Sequence, residues 1–195
     1  MRATIVAAAA AACLAALAPG ASALGRVCPH AWNAGWQTLA NKVEIPVYCP
    51  MWIPNPLDAK IGGQYQDIYS ISKDRSYLVS FLEHGDLGSG DVHVNFRAYP
   101  GRKTIPRCPA PVGHGTTPCF SNPVGHMRAN GIDATVYQVN QGADQWHILL
   151  AWHYRGSLYA VSEHVIPPYR FSTQVKHNLS ILLRNLVLVQ PNAAR

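Results

Sequence analysis

The sequence has few charged side chains and none of the common catalytic motifs. Only 13% of its 195 residues are charged, and Asp and Glu together number ten. The chain lacks the G-x-S-x-G nucleophile elbow, the H-E-x-x-H zinc motif and a glycine-rich phosphate-binding loop. It also lacks any C-x-x-C pair, which excludes the usual thiol redox motif, zinc ribbon and haem attachment. These absences favour a non-catalytic protein and predict no cofactor.

The N-terminal apolar run is shorter than the ~20 residues that a spanning helix needs, and no later segment is apolar enough, so no membrane-spanning segment is expected. Residues 3–18 are rich in alanine, follow the basic residue Arg2 and precede a small-residue site that ends at Ala23. This pattern predicts a secretory signal peptide over residues 1–23. A lipoprotein signal at Cys13 is disfavoured, because leucine is missing three residues earlier and cleavage there would leave an unusually short signal. The predicted location is secreted: the extracellular space or the cell envelope.

The charge of the chain is positive, with 16 Lys and Arg against 10 Asp and Glu and a formal net charge of +6. A positive balance suits anionic partners such as cell-wall polymers or acidic lipids. The basic residues are scattered, however, and scattered charge also serves solubility alone. The sequence therefore leaves the partner open: an anionic cell-wall polymer or an envelope protein suits the charge, but solubility alone explains scattered charge better. No nucleic acid is expected, because nucleic-acid binding would require a clustered basic surface.

Four of the five cysteines follow the predicted signal peptide: Cys28, Cys49, Cys108 and Cys119. An even number in an exported chain predicts disulfides, for which three connectivities are possible. We expect the local pairs Cys28–Cys49 and Cys108–Cys119, because each would close a segment otherwise poor in regular structure. The second bridge would tie down Pro100–Gly125, an irregular loop rich in proline and glycine, whose function the sequence leaves open.

The clearest strand pattern is Trp146–Val165, where two runs rich in β-branched and aromatic residues flank Arg155-Gly156. Glycine permits the positive φ of a tight reversal, so this stretch predicts a central β-hairpin. A second hairpin is predicted from Tyr77–His84 and Asp91–Tyr99. The returning strand of that hairpin alternates apolar and polar residues, which is typical of a sheet buried on one side only.

Helical periodicity occurs near both ends of the chain. His30–Lys42 predicts a short helix, and Ser172–Val187 predicts a longer one with the apolar stripe Val175, Leu179, Leu182, Leu183 and Leu186. Between them, three prolines make Ile45–Pro54 an extended segment along the domain edge. Gln64–Ile71 and Gly131–Asn140 are expected to be further strands.

These elements together predict one α+β domain over residues 24–190, followed by a disordered tail over residues 191–195. Its antiparallel sheet would have five or six strands joined as hairpins. The C-terminal helix would pack on one face of the sheet, and the short N-terminal helix would lie at an edge.

Nine histidines are an unusual number for this length. His147 and His164 would face each other across the central hairpin if its turn has two residues. A three-residue turn would instead oppose His147 to Glu163. Two imidazoles make a poor transition-metal site, and the sequence does not place a third ligand. His147 and His164 are therefore weak metal candidates, and no metal site is predicted.

The polar face of the second hairpin is the candidate ligand-binding surface. His93, Asn95, Arg97 and Tyr99 alternate along one strand and would form a continuous row of hydrogen-bond donors. The guanidinium of Arg97 could grip a carboxylate or phosphate through two hydrogen bonds. Such a row is also what an ordinary solvated sheet face would present.

Three stretches together resemble a family of secreted proteins from high-GC Gram-positive bacteria whose activity is uncharacterised. They are the run IPVYCPMWIP after the short helix, the YLVSF and VHVNFRAYPG hairpin, and HILLAWHYRGSLYAVSEHV with its closing helix. More loosely, this order of elements is similar to the extracytoplasmic sensor domains of some anti-sigma factors. The resemblance implies the fold and an extracytoplasmic location, and it carries no activity.

The leading functional hypothesis is an exported, non-catalytic binding module of the cell envelope or extracellular space. The alternatives are a secreted hydrolase whose active site no motif reveals, and a histidine-based metal-binding protein. A pocket that gathers His, Asp or Glu beside a nucleophile would favour the hydrolase, whereas a flat polar face or a groove would favour the binding module. The ligand and the oligomeric state are not specified by the sequence.

Overall fold

A computed structural model describes residues 26–57, 65–66, 71–82, 92–103, 123–139, 141–142 and 146–193. The predicted signal peptide, the Cys108–Cys119 pair and residues 194–195 of the predicted tail lie outside these described residues. Within them, no helix has both the length and the apolar character needed to cross a membrane.

The described chain forms two helices and nine strands. In chain order they are α1 (His30–Val43), β1 (Val47–Pro50), β2 (Tyr65–Gln66), β3 (Tyr77–Leu82), β4 (His93–Tyr99), β5 (Pro123–Ala129), β6 (Ile132–Val139), β7 (His147–Tyr154), β8 (Ser157–His164), α2 (Ser172–Arg184) and β9 (Leu186–Val189).

The main sheet is antiparallel, with the strand order β2-β3-β4-β8-β7-β6-β5. It consists of six full strands and the two-residue strand β2. The predicted α+β class is therefore confirmed. The pairing of β4 with β8 joins the two hairpin regions, and it brings together strands that are far apart in the sequence.

The central hairpin has the two-residue turn that decides its register. Tyr154 pairs with Ser157, and Arg155 and Gly156 have φ values of 46° and 76°. Two consecutive positive φ values are typical of a type I′ turn, whose twist matches that of the flanking strands. His147 consequently stands opposite His164 rather than Glu163.

Both helices cover the same face of the sheet. Trp32 and Trp36 of α1 contact Phe81 and Phe96 edge to face, so α1 lies over β3 and β4 near the β2 edge. Helix α2 contacts β5, β7 and β8 and buries the side chains Val175, Leu179, Leu182 and Leu183. Burying four aliphatic side chains stabilises the fold by on the order of 10 kcal/mol before conformational entropy is subtracted.

The central strands are buried on the second face as well. All eight residues of β8 are buried, and a second apolar cluster on this face contains Tyr137, Val139, Leu149, Ala151, Leu158 and Ala160. The prediction of a sheet buried on one side only is therefore wrong at the centre. The physical reason is visible in β7 and β8, whose apolar runs are nearly continuous rather than alternating.

The C-terminal segment differs from its prediction. Helix α2 ends at Arg184, and Leu186 and Val187 belong to strand β9 rather than to the helix. Strand β9 pairs with β1 in a separate two-stranded sheet, so the proline-rich Ile45–Pro54 segment gains a strand partner. Leu186 is buried as expected, but from a strand. Strand β5 was not predicted at all.

The predicted Cys28–Cys49 disulfide is present. It links Cys28, two positions before the first residue of α1, to strand β1, and both cysteines are buried. The indole Nε1 of Trp32 donates a hydrogen bond of 3.1 Å to the carbonyl oxygen of Pro50, which further anchors α1 to β1.

Candidate metal centre

Three histidines from three neighbouring strands meet on the second face of the main sheet. Strand β8 lies between β4 and β7, and His147 of β7 is the direct partner of His164. On the other side Val94 pairs with Glu163, which puts His93 at the level of His164. The register of two pairings therefore aligns His93, His164 and His147 in one row across the sheet.

The imidazole rings of this row are in contact. Their centroids are 4.8 Å apart for His93 and His147, 4.9 Å for His93 and His164, and 4.7 Å for His147 and His164. The last two rings are nearly parallel, with an interplanar angle of 7°. Nε2 of His93 and Nε2 of His147 are 2.7 Å apart. One of these nitrogens, in its protonated form, donates a hydrogen bond to the unprotonated nitrogen of the other ring.

These three side chains can supply three nitrogen ligands to one ion. One ring nitrogen from each residue lies within 4.8 Å of the others. Zinc binds imidazole nitrogen at about 2.0–2.1 Å, so two ligands of a tetrahedral site lie about 3.3 Å apart. The 2.7 Å pair would have to open slightly and the wider separations would have to close. Rotation of the side chains about their χ angles is sufficient for such changes.

The row is largely removed from solvent. His147 and His164 are 5% and 1% exposed, and His93 is half-buried. The described part of the chain brings no carboxylate or thiolate into this ligand group. A neutral, nitrogen-only ligand set favours zinc, copper, nickel or cobalt over calcium and magnesium, which prefer oxygen.

Glu163 is the nearest carboxylate in the sequence, but its side chain points to the opposite face. Its Oε1 accepts a hydrogen bond of 2.7 Å from Nδ2 of Asn178 on α2. Burial raises the pKa of Glu163 to about 8, and the bond from Asn178 lowers it in part. Glu163 and His164 therefore lie on opposite faces of the sheet, and Glu163 is not a ligand of the three-histidine row.

The candidate ligand-binding row on β4 lies on the same face as the histidines. Val94, Phe96 and Ala98 point into the main core, so His93, Asn95, Arg97 and Tyr99 share the other face, as expected from their alternation. Only His93 belongs to the three-ring cluster. Asn95 is buried and its Oδ1 accepts a hydrogen bond of 2.5 Å from Ser80, while Arg97 and Tyr99 are half-buried.

Ser162 stands beside Asn95 in the next row of the sheet. Its hydroxyl is buried and has no hydrogen-bond partner among the described residues. A serine nucleophile requires a base within hydrogen-bond distance, so Ser162 and the histidines do not form a catalytic pair. The gathering of a nucleophile and its base, which would have favoured a hydrolase, is not found in the described part of the chain.

A shallow cleft of about 320 Å³ lies over α2, away from the histidine row. Its lining residues are Tyr169, Thr173, Gln174, His177 and Asn178. It holds one histidine and no carboxylate at its surface, so it lacks the set of ligands that the sheet face provides.

The sequence pattern left His147 opposite either His164 or Glu163 and put His93 in the candidate ligand-binding row, without joining the three histidines; the two-residue turn decides for His164. The missing signal was the pairing of β4 with β8, which no local pattern in the sequence encodes. Comparisons with protein-family models, with curated proteins and with solved structures found no match.

Proposed function

We propose that this chain is an exported metal-binding protein, in which His93, His147 and His164 hold one zinc ion. The observation that carries the proposal is the meeting of three imidazole nitrogens within 4.8 Å on three neighbouring strands. The backbone hydrogen bonds of the sheet hold the Cβ atoms of the three histidines in place. Binding of the ion therefore costs little conformational entropy.

Zinc is the preferred ion for two reasons. Imidazole nitrogen is one of its usual ligands. Tetrahedral coordination of zinc requires of the protein only that these nitrogens be correctly placed. Copper(II) binds most nitrogen sites more tightly than zinc does, so it should compete for the same three residues. Three protein ligands leave one tetrahedral position for water or an external ligand.

The compartment is part of the proposal. A disulfide between Cys28 and Cys49 fits an oxidising environment, and the N-terminal pattern that ends at Ala23 supports export. The partner remains the anionic cell-wall polymer or envelope protein suggested by the positive charge, in keeping with the proposed likeness to secreted proteins of high-GC Gram-positive bacteria.

The second candidate function is metal-assisted hydrolysis, because an open coordination position is what hydrolytic zinc sites use to activate water. It ranks below non-catalytic binding, since the described residues bring no carboxylate base beside the three rings. Hydrolysis of an activated ester by the zinc-loaded protein, absent in a His164→Ala variant, would reverse this order.

The test is a zinc titration of the purified mature protein after treatment with a chelator, with competition against a chromophoric chelator at neutral pH. We expect one zinc ion per chain. Replacing any one of the three histidines by alanine should weaken binding by more than about 100-fold, since even the loss of an outer partner of a ligand costs 10–100-fold.

His153→Ala is the matched control. His153 lies on β7, the strand that carries His147, but it is exposed and outside the cluster. Its replacement should leave the zinc affinity unchanged. Equal affinities for His164→Ala and the wild type, or no zinc uptake by the wild type, would overturn the proposed function.

A further inference from the structure

We propose that a cavity beside β9, at the other end of the main sheet from the histidines, binds the C-terminal end of an extended peptide. The carboxylate of the peptide would bond to Arg26, and its backbone would pair with β9 at Leu188. Tyr154, which lines the cavity, ends the strand that begins at His147, so about 20 Å separate the cavity from the proposed metal centre. The inference does not depend on the proposed function.

The cavity has a volume of about 370 Å³, which is within the usual range of ligand pockets. Segments that are far apart in the sequence form its wall: residues 130–132 and 186–188, with Arg26, Tyr48 and Tyr154. The rings of Tyr48 and Tyr154 are in edge-to-face contact, with centroids 6.0 Å apart. A wall of aromatic and aliphatic side chains accommodates an apolar side chain of a ligand.

The outer edge of β9 is defined by the way in which β9 pairs with β1. The backbone N–H of Met51 donates a hydrogen bond of 2.8 Å to the carbonyl oxygen of Asn185. In an antiparallel pair of strands, hydrogen-bonded and non-hydrogen-bonded residue pairs alternate. Tyr48 and Leu188, three pairs further on, are therefore a non-hydrogen-bonded pair. The N–H and the carbonyl group of Leu188 consequently point away from β1.

Side chains already bond to the other carbonyl groups of this outer edge. Nδ2 of Asn130 donates a hydrogen bond of 2.7 Å to the carbonyl oxygen of Leu186. Nε2 of Gln37 donates one of 2.9 Å to the carbonyl oxygen of Gln190. Leu188 stands between them and lines the cavity, and no described residue bonds to its outward backbone groups. It therefore offers one donor and one acceptor, which an added peptide strand would satisfy.

Arg26 supplies a positive charge at the wall of the same cavity. Its Nη1 donates a hydrogen bond of 2.7 Å to the carbonyl oxygen of Arg184, the last residue of α2, and this bond holds the guanidinium in place. The bond uses one of five N–H donors. No carboxylate of the described residues lines the cavity. The remaining donors can therefore bind both oxygens of a ligand carboxylate.

These three features together specify the class of ligand. The strand edge requires an extended peptide, because sugars and lipids do not present an N–H and a C=O at the spacing of a strand. The guanidinium requires an anion, and the C-terminal carboxylate of a peptide lies directly beside its last backbone N–H. The aromatic wall favours an apolar side chain near that terminus. A partner protein with an extended, apolar C-terminal end meets all three requirements.

The experiment measures the fluorescence anisotropy of a labelled peptide as the mature protein is added in the presence of a chelator, so that zinc plays no part. The probe is Gly-Gly-Val-Leu with a dye at its N-terminus and a free carboxylate, and its control is the same peptide with a C-terminal amide. The carboxylate peptide should bind about 10–100-fold more tightly than the amide, the usual effect of a charge-assisted hydrogen bond.

Arg26→Gln should weaken binding of the carboxylate peptide to the level of the amide peptide, and it should leave binding of the amide peptide unchanged. Arg170→Gln is the matched control, because Arg170 is exposed and does not line the cavity. Hydrogen exchange tests the strand pairing separately. The amide of Leu188 should become protected when the peptide binds, whereas the amide of Val187, which points toward β1, should not change.

The lack of any peptide binding, equal affinities for the two peptides, or an unchanged affinity in Arg26→Gln would overturn the proposal. Unchanged exchange of the Leu188 amide in the saturated complex would do the same. Glucuronate, an acid without a peptide backbone, should not displace the probe, and efficient displacement would assign the cavity to an acidic sugar. Protection of Leu188 that rises with protein concentration in the absence of peptide would assign the edge to a second copy of the chain.

Discussion

Nδ2 of Asn178 donates a hydrogen bond of 2.7 Å to Oε1 of Glu163, and this bond joins α2 to the central strand β8. The other oxygen, Oε2, is buried with no hydrogen-bond partner within the described part of the chain. Burial raises the pKa of this carboxyl from 4.5 to about 8. The folded protein therefore holds a proton on Glu163 that the unfolded chain would release.

Glu163→Gln should change how stability depends on pH. Between pH 4.5 and about 8 the folded wild type binds a proton that the unfolded state has lost, so its free energy of unfolding should fall as the pH rises through this window. Glutamine stays neutral and keeps the acceptor for Asn178. The variant should lack this part of the slope and be more stable than the wild type by a few kcal/mol above about pH 8.

The measurement is urea unfolding across this pH range in the presence of a chelator. Glu44→Gln is the control, because Glu44 is exposed and pairs with Arg75 at the surface. It should leave the slope unchanged. If the free energy of unfolding depends on pH in the same way in the wild type and in Glu163→Gln, the carboxyl of Glu163 is not the source of that dependence.

Binding of zinc should raise the melting temperature. An ion that binds only the folded state at 100 times its dissociation constant stabilises by about 2.7 kcal/mol, which corresponds to about 5–10 °C for a domain of this size. Scanning calorimetry with and without zinc measures the shift. The His164→Ala variant should show none of it, and a similar shift in that variant would point to binding elsewhere.

Leu182→Ala or Leu183→Ala should cost about 2–5 kcal/mol of unfolding free energy. Both side chains are fully buried between α2 and the sheet, so truncation leaves a cavity. His177→Ala, on the exposed side of the same helix, should be nearly silent. Denaturant unfolding of the three variants provides the comparison, and equal small effects would mean that α2 contributes little to the core.

Removing the Cys28–Cys49 disulfide should cost about 3 kcal/mol in the chain-entropy model, since the bridge closes a sequence separation of 21 residues. The double variant Cys28→Ser, Cys49→Ser can be compared with the wild type by urea unfolding without reductant. Adding reductant to the double variant then isolates any contribution of the remaining cysteines. A stability equal to that of the wild type would contradict the prediction.

The sequence predicted the elements whose signals are local. The periodicity of α1, the alternation of β4 and the turn at Arg155-Gly156 each depend on neighbours in the chain. The same holds for the Cys28–Cys49 bridge. The Cys108–Cys119 bridge, the signal peptide and the family resemblance remain predictions.

The features that the sequence did not predict depend on pairing between distant segments. Strand β9 resembles the end of a helix until β1 is placed beside it. Two of the three histidines of the proposed metal site, His147 and His164, face each other across the hairpin, which is the arrangement expected for a two-residue turn. The third ligand, His93, could not be placed, because β4 reaches β8 across a connection of more than 50 residues that carries no local signal for its register.

The pairing of β1 with β9 also affects the order in which the chain can fold. Val47 pairs with Val189, about 140 positions later, so the small sheet cannot form until β9 has been released from the ribosome or has crossed a membrane. The Cys28–Cys49 bridge spans only 21 positions and can close much earlier. An incompletely delivered chain would therefore expose β1 as an open strand edge, which leaves it vulnerable to aggregation and proteolysis until the final segment arrives.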